Sequence, residues 1–146
     1  MKPDWQDLVT TSHLSTVDAI RKLLEEKEYE QAQEGIEELY DAMAKVEQRA
    51  LISQLKRLML HILKWRYQPD KRSTSWVRSI VDARQEIAEI QEFTPSLNRQ
   101  FVEANWERAF AQAVAGAKAE MNLSRKDRFE PAELTWQEVF DDEYLL

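Results

Sequence analysis

The side chains best suited to chemistry lie in and beside the segment from Leu58 to Trp76. Arg57, His61, Lys64 and Gln68 are spaced there by three, four or seven residues, which places them on one face of a helix. An imidazole, a guanidinium and an ammonium group on one face could hold an anion. The structural alternative, which we favour, is a histidine satisfied at the edge of the core and a lysine whose aliphatic stem covers a tryptophan.

Positive charges and aromatic rings alternate in the turn that follows this face. Between Lys56 and Arg84 the chain has eight basic and two acidic residues, a net charge of +6, which leaves -13 for the remainder. Such a turn could bind nucleic acid, because cations contact phosphates and rings stack on bases. We favour a structural explanation here too, in which Trp65 and Trp76 are the buried ends of two helices. The charges then stay solvated or pair with the acidic second helix, predicted over residues 31–68. The candidate binding residues are Arg57, His61, Lys64, Trp65, Arg66, Tyr67, Gln68, Lys71, Arg72, Trp76, Arg78 and Arg84.

The acidic residues of the predicted second helix raise the question of a metal site. Glu34, Glu37, Glu38 and Asp41 lie close together and could receive a cation, but a solvated or salt-bridged face is the simpler interpretation. A di-iron bundle needs a glutamate three residues before an inward histidine, and neither histidine has one. The sequence therefore predicts no metal site and no cofactor.

Complete catalytic motifs are absent from the sequence. It has no cysteine, no glycine-rich phosphate loop and no Gly-x-Ser-x-Gly nucleophile motif. Two histidines leave little room for acid-base chemistry unless His61 is the base. A hydrolase or nuclease in which Arg57, Lys64 and Arg84 hold a phosphate beside His61 is the weaker alternative. We therefore predict that the protein is not an enzyme.

Length and composition favour one all-α domain over residues 1–146. Hydrophobic residues make up 43% of the chain, and two glycines with four prolines indicate long helices joined by short connections. The longest hydrophobic run, from Leu58 to Leu63, is interrupted by His61, and the first residues lack the apolar stretch of a secretory signal. We therefore expect a cytoplasmic protein without a membrane partner.

Hydrophobic periodicity and capping residues predict five helices, at about residues 15–27, 31–68, 74–92, 95–121 and 135–141. Capping boxes begin the first helix at Ser15 and the last at Thr135, and Pro69 ends the long second helix. Ser73 or Thr74 caps the third helix, and Thr94 with Pro95 begins the fourth. Short connections favour antiparallel neighbours. The expected architecture is a four-helix, up-and-down-like bundle with one long central helix and a short C-terminal helix.

A nine-residue motif, HILKWRYQP, runs from His61 to Pro69, and it is followed by Ser75-Trp76, by Ile80 with Arg84, and by Pro95-Ser96-Leu97. This series resembles the signature of an uncharacterised, mainly cyanobacterial family catalogued as domain of unknown function 29, over nearly the whole chain. The resemblance implies a helical bundle in a small stand-alone bacterial protein. It implies no activity, because none is established for the family. The last quarter departs from the family, which carries Glu-Thr-Gly-Leu where this chain has Glu120-Met121-Asn122-Leu123.

Two functions of different classes follow from these residues. The first is a non-enzymatic interaction module whose basic hairpin, defined here as residues 64–84, docks an acidic protein partner or the acidic face of a second copy. Self-association is therefore a prediction. The alternative is a nucleic-acid or polyanion binder that uses the same hairpin, with an affinity that falls steeply as salt rises.

Overall fold

The structure, a computed structural model, describes residues 2–146 and is all-α, as the composition predicted. No strand occurs within these residues. Short connections join the α-helices. The chain also forms a 3-10 turn at Pro69–Lys71 and a π-helical turn at Gln137–Asp141. The α-helices are α1 (Trp5–Thr11), α2 (His13–Glu25), α3 (Tyr29–Tyr67), α4 (Thr74–Phe93), α5 (Arg99–Ala104) and α6 (Trp106–Glu120).

The chain divides into two compact units, a first unit up to Gln48 and a second unit from Arg49 to Leu146. The boundary falls within α3, which contributes its first half to one unit and its second half to the other. The single domain expected from length stays a prediction.

The first unit buries a small core around Trp5. Ile20, Leu23 and Ala32 pack with this ring, which belongs to α1, a helix that the periodicity did not predict. Seven residues are too few for a clear helical period, but Asp4 caps the helix by accepting a hydrogen bond from the Asp7 amide. The indole ring also explains a glycine in the middle of α3, since a Cβ on Gly35 would come within 2.7 Å of Trp5 Cζ2.

The second unit has the larger core. The second half of α3 supplies most of its fully buried side chains, and Ile80 and Ile87 of α4 pack against them. Helix α6 presents alanines to the same core, which allows its backbone to approach closely. Val139 and Leu134 of the C-terminal segment complete it. The buried residues of α3 and α6 in this core are Leu51, Leu55, Leu58, Met59, Ile62, Leu63, Ala109, Ala113 and Ala117.

Local signals placed three of the predicted helix ends well. Helix α3 ends at Tyr67 before Pro69, and α4 begins after Ser73, whose hydroxyl accepts from the Trp76 amide. The C-terminal capping box forms in both directions, because the Thr135 amide donates to Glu138 Oε1 and the Glu138 amide to Thr135 Oγ1.

Two predicted boundaries are wrong. Helix α2 is capped by Ser12 rather than by Ser15, since the Ser12 hydroxyl accepts from the Ser15 amide. The predicted helix over 95–121 is two helices, because Asn98 caps α5 and the chain breaks again at Asn105. At this break the side-chain amide of Asn105 donates a hydrogen bond to the Phe101 carbonyl of its own segment. Within residues 2–146 no helix is long and apolar enough to span a bilayer.

Candidate functional site

The basic hairpin forms where α3 ends, turns through Pro69–Lys71 and continues as α4. Gln68 lies at the turn, half-buried, and its carbonyl accepts from the Lys71 amide at 3.0 Å. This turn brings the last residues of α3 beside the first residues of α4. The structure therefore assembles most of the candidate residues in one region of the second unit, but it uses many of them internally.

Trp65 is buried, with 7% of its surface exposed. Its ring meets Tyr144 edge to face, with centroids 5.8 Å apart. Arg72 covers it with a guanidinium 4.8 Å from the ring centroid and donates from Nε to the Trp65 carbonyl at 2.8 Å. The structural explanation that the sequence favoured for Trp65 is thus confirmed, and this ring is not available to stack on a base.

Lys64 is buried at the end of α3. Its Nζ lies 3.2 Å from Glu120 Oε1, at the end of α6, and 4.6 Å from the centroid of the half-buried Trp76 ring. The ammonium group itself faces the ring, where the sequence predicted only an aliphatic stem. Lys64 therefore joins α3 to α4 by a cation–π contact and α3 to α6 by an ion pair.

Arg84 and Arg66 hold the C-terminal segment. Arg84 donates from Nε to the Val139 carbonyl at 2.8 Å and from Nη2 to the Glu138 carbonyl at 3.4 Å. Arg66 forms an ion pair with the Glu138 carboxylate. Tyr144 donates its hydroxyl to the Glu138 carbonyl at 2.6 Å, and the Arg84 guanidinium lies 5.6 Å from its ring centroid.

Burial shifts the titration of two of these groups. It lowers the pKa of Arg84, although the nearby Tyr144, Asp141 and Asp142 oppose the shift. It also raises the pKa of Tyr144, and Asp142 adds to that effect. Both shifts mark groups that have exchanged water for contacts within the chain.

His61 and Arg57 each make a local contact on α3. His61 donates from Nδ1 to the Arg57 carbonyl of its own helix at 2.9 Å, and the half-buried ring thereby satisfies one nitrogen locally. Burial lowers the pKa of His61 below 6.5, so the neutral imidazole is favoured at neutral pH. The Arg57 side chain reaches Gln54 Oε1 at 3.4 Å.

Five candidates are exposed, and two of them, Arg66 and Arg72, make the internal contacts described above. Tyr67 is 43% exposed and packs edge to face with Phe129 at 5.2 Å between centroids. Lys71 is exposed at the turn, and Arg78 is 83% exposed with a long, 3.8 Å contact to Asp82. Lys71 and Arg78 are the cations of the hairpin that solvent or a partner reaches most easily.

Sequence reasoning missed the acidic and aromatic partners of the hairpin. Glu120, Glu138 and Tyr144 lie between 54 and 72 residues along the chain from the cations that they contact. The acidic, aromatic tail from Glu138 to Leu146 was a signal that a partner for these cations existed. Its spacing alone did not identify the pairs.

The carboxylates of α3 that raised the question of a metal belong to the first unit. Glu34 pairs with Lys2 at 2.8 Å, and Glu38 accepts from the Gln6 amide at 2.7 Å. Among residues 2–146 no group of three or more metal-ligating side chains comes together.

An exposed apolar stripe follows the same part of α3. It consists of Ile36, Tyr40, Met43 and Val46, each of which is between 51% and 68% exposed. Their spacing of four, three and three residues places them on one helix face. In the structure these four side chains face solvent.

Comparisons with known proteins identify the family and nothing beyond it. No curated protein and no solved structure matches the chain. The sequence model of one family matches residues 13–145, nearly the whole chain. The matched residues include the basic hairpin and the C-terminal residues that it contacts. The chain belongs to the family described as domain of unknown function DUF29.

Proposed function

We propose that this chain is a non-enzymatic helical interaction module that docks a protein partner on the apolar stripe of α3, Ile36, Tyr40, Met43 and Val46. The carrying observation is the exposure of these four large side chains on consecutive turns of one helix. Soluble helices usually cover such a face, and contiguous exposed apolar side chains mark interaction sites. Single exposed hydrophobic residues elsewhere in the chain need no such explanation.

The negative charge of the residues around the stripe favours a positively charged partner. Residues 1–48 hold 12 acidic and 5 basic side chains, a net charge of -7, whereas the rest of the chain holds 15 of each. The carboxylates nearest the stripe in sequence are Glu34, Glu37, Glu38, Asp41 and Glu47. A helix with an apolar face and basic flanks would complement both features, so the proposed partner segment is a basic amphipathic helix.

The alternative occupants belong to the basic hairpin. An acidic protein, the acidic face of a second copy, or a polyanion would use the exposed cations Lys71 and Arg78 there. Because Trp65 is buried and Arg72 lies on its ring, the hairpin offers fewer stacking rings for nucleic acid than its sequence suggested. A cytoplasmic location is part of the same proposal, and cell fractionation checks it.

Site-specific photo-cross-linking tests the proposed docking face. A photoreactive phenylalanine analogue replaces Tyr40, which is 68% exposed, or, as a matched control, Phe93, which is 85% exposed on α4. In cells of the source organism we expect a defined adduct from position 40 and none of the same mass from position 93. Mass spectrometry of the adduct is expected to place the cross-link in a basic amphipathic helix.

Other outcomes favour the alternatives or reject the proposal. A cross-link from position 40 to this chain itself, with a dimer in light scattering, would favour self-association. An oligonucleotide titration that quenches tryptophan fluorescence at low salt, and fails in Lys71→Glu/Arg78→Glu, would favour the polyanion function. Equal adducts from positions 40 and 93 would contradict a specific docking face on α3.

A further inference from the structure

A groove of about 310 Å³ opens on the second unit, where α5 meets α6 and the C-terminal segment passes beside them. Two indole rings and three carboxylates line it: Glu103, Trp106, Glu107, Glu133 and Trp136. Its size is at the lower end of pockets that hold small molecules or single side chains. None of its lining residues belongs to the basic hairpin or to the apolar stripe of α3.

The two indole rings are fixed before any ligand arrives. Trp106 and Trp136 stack with centroids 5.6 Å apart and an angle of 21° between the planes. Trp106 donates its Nε1 hydrogen to the Leu134 carbonyl at 3.1 Å, and Phe140 packs against Trp136 with centroids 4.4 Å apart. Rings held in this way present their π faces and edges without paying further rotamer entropy.

A cation of the chain itself already uses this chemistry. The Arg99 guanidinium lies 4.1 Å from the centroid of the Trp136 ring, and its Nε donates to Glu103 Oε1 at 2.7 Å. One ring and one carboxylate of the groove are thus arranged to hold a planar organic cation. The arrangement is the one that a ligand cation would need, an aromatic face with a carboxylate beside it.

The other two carboxylates leave room for a second cation. Glu107 and Glu133 are both exposed, and neither has a basic side chain within 4.0 Å in the described part of the chain. With Glu103 neutralised by Arg99, these two carboxylates leave the lining of the groove with a negative charge beside Trp106 and Trp136. Such a lining attracts a cation that can also lose water against an aromatic surface.

We propose that the groove formed by Trp106, Trp136, Glu107 and Glu133 binds an organic cation, a guanidinium or an alkylated ammonium group. A bare metal ion does not fit the same features, because among residues 2–146 no three ligating side chains converge and two of the walls are indole rings. Arg99 acts as an internal competitor, because it occupies Trp136 and Glu103. The site is independent of the docking face proposed on α3.

NMR titration of the full-length protein tests this site through its five tryptophan indole N–H signals. The probes are N-acetyl-arginine methylamide, choline, and their near-isosteric neutral counterparts N-acetyl-citrulline methylamide and 3,3-dimethylbutan-1-ol. We expect saturable shifts of the Trp106 and Trp136 signals with at least one cation and no saturable shift with its neutral counterpart. Arginine and choline distinguish a peptide side chain from a free quaternary ammonium compound as the source of the cation.

Three variants test the roles of the charged residues. Glu107→Gln/Glu133→Gln is expected to weaken binding about tenfold or more, since two carboxylates beside the cation are lost. The matched control Glu86→Gln/Glu89→Gln removes the same charge from exposed positions of α4 that do not line the groove, and it is expected to keep the affinity within about twofold. Arg99→Gln is expected to tighten binding, because the competitor leaves the Trp136 ring.

Circular dichroism checks that each variant folds, and the exposed positions of Glu107 and Glu133 favour that outcome. The proposal is overturned if neither cation shifts the two indole signals at about 50 mM, well above the millimolar affinity that weak cation–π sites reach. It is equally overturned if the neutral counterparts produce the same shifts, or if the groove variant and the control variant bind alike.

Discussion

Lys64 and Glu120 lie 56 residues apart in the chain, and their side chains form an ion pair with 3.2 Å between Nζ and Oε1. The two partners differ in exposure, because 11% of the Lys64 side chain is exposed against 49% of the Glu120 side chain. The ammonium group has therefore given up most of its water for one carboxylate and the Trp76 ring.

From this pair we expect that substitutions of Glu120 and of Lys64 lower the free energy of unfolding by different amounts. Glu120→Gln leaves a buried ammonium group without its counter-ion, and we expect a loss of ~1–2 kcal/mol in the free energy of unfolding measured in urea. Lys64→Met is expected to cost less, since methionine fills a similar space without a charge. Glu130→Gln is the matched control, because its pair with Arg128 is exposed and is expected to be worth less than ~0.5 kcal/mol. Equal losses for the two glutamine variants would contradict the special role of Lys64.

We expect the hydrogen bonds of Arg84 to stabilise the C-terminal segment against local unfolding. Arg84→Met removes two hydrogen bonds to backbone carbonyls, and we expect a loss of ~1–3 kcal/mol with faster hydrogen exchange over residues 137–144. Arg78→Met is the control on the same helix, where the side chain is 83% exposed, and it is expected to leave exchange in that segment unchanged. If exchange over residues 137–144 were the same in Arg84→Met and the parent protein, Arg84 would not be what holds the segment.

We expect the protein to lose stability in mild acid because of the partly buried His61. Burial lowers the pKa of His61 in the folded protein below the value of 6.5 that it has when unfolded, so the unfolded chain binds the extra proton more tightly. The contribution of the neutral imidazole is therefore complete above pH 6.5 and is lost as pH falls from 6.5 through the folded pKa. Unfolding free energies measured between about pH 7.5 and pH 5 for the parent protein and His61→Gln are expected to converge toward acid pH.

His13 supplies the control for this pH dependence. It is the second of the two histidines and is exposed at the start of α2, so His13→Gln is expected to reproduce the pH curve of the parent protein. A curve for His61→Gln that runs parallel to that of the parent protein over the whole range would refute the assignment to His61.

The backbone conformation of Asn122, at the end of α6, limits which residues this position accepts without a loss of stability. Its φ is 60°, and the bonds from the Asn122 amide to the Ala119 carbonyl and from the Leu123 amide to the Lys118 carbonyl complete a Schellman cap. Asparagine and glycine tolerate this left-handed conformation better than other residues do.

We therefore expect Asn122→Gly to keep or raise the melting temperature and Asn122→Val to lose ~1–2 kcal/mol. Met121→Val is the control, because the φ of Met121 is -83° and valine adopts that value readily. A loss in Met121→Val as large as that in Asn122→Val would show that the left-handed backbone is not the cause.

Local chemistry made much of the fold predictable. Pro69 ends α3 because proline has no amide hydrogen for the helix, and Ser73 and Thr135 cap the helices that follow because their hydroxyls accept from free amides. The same local rules misplaced the helix over 95–121, because Asn98 and not Thr94 caps the helix there. The Asn98 side chain accepts from the Phe101 amide, and the Asn105 side chain donates to the Phe101 carbonyl where the helix breaks.

The sequence by itself determined that this protein is all-α, where most of its helices begin and end, and that cations and rings gather at residues 64–84, because these features depend on near neighbours in the chain. Only the tertiary structure decided what those side chains do. Trp65 is buried, Lys64 pairs with Glu120, and Arg84 binds the carbonyls of Glu138 and Val139, all through contacts across more than 50 residues. Periodicity marks a face of a helix, but which face is covered depends on what packs against it, and for this reason the exposed stripe of α3 and the Trp106–Trp136 groove came only from the folded chain.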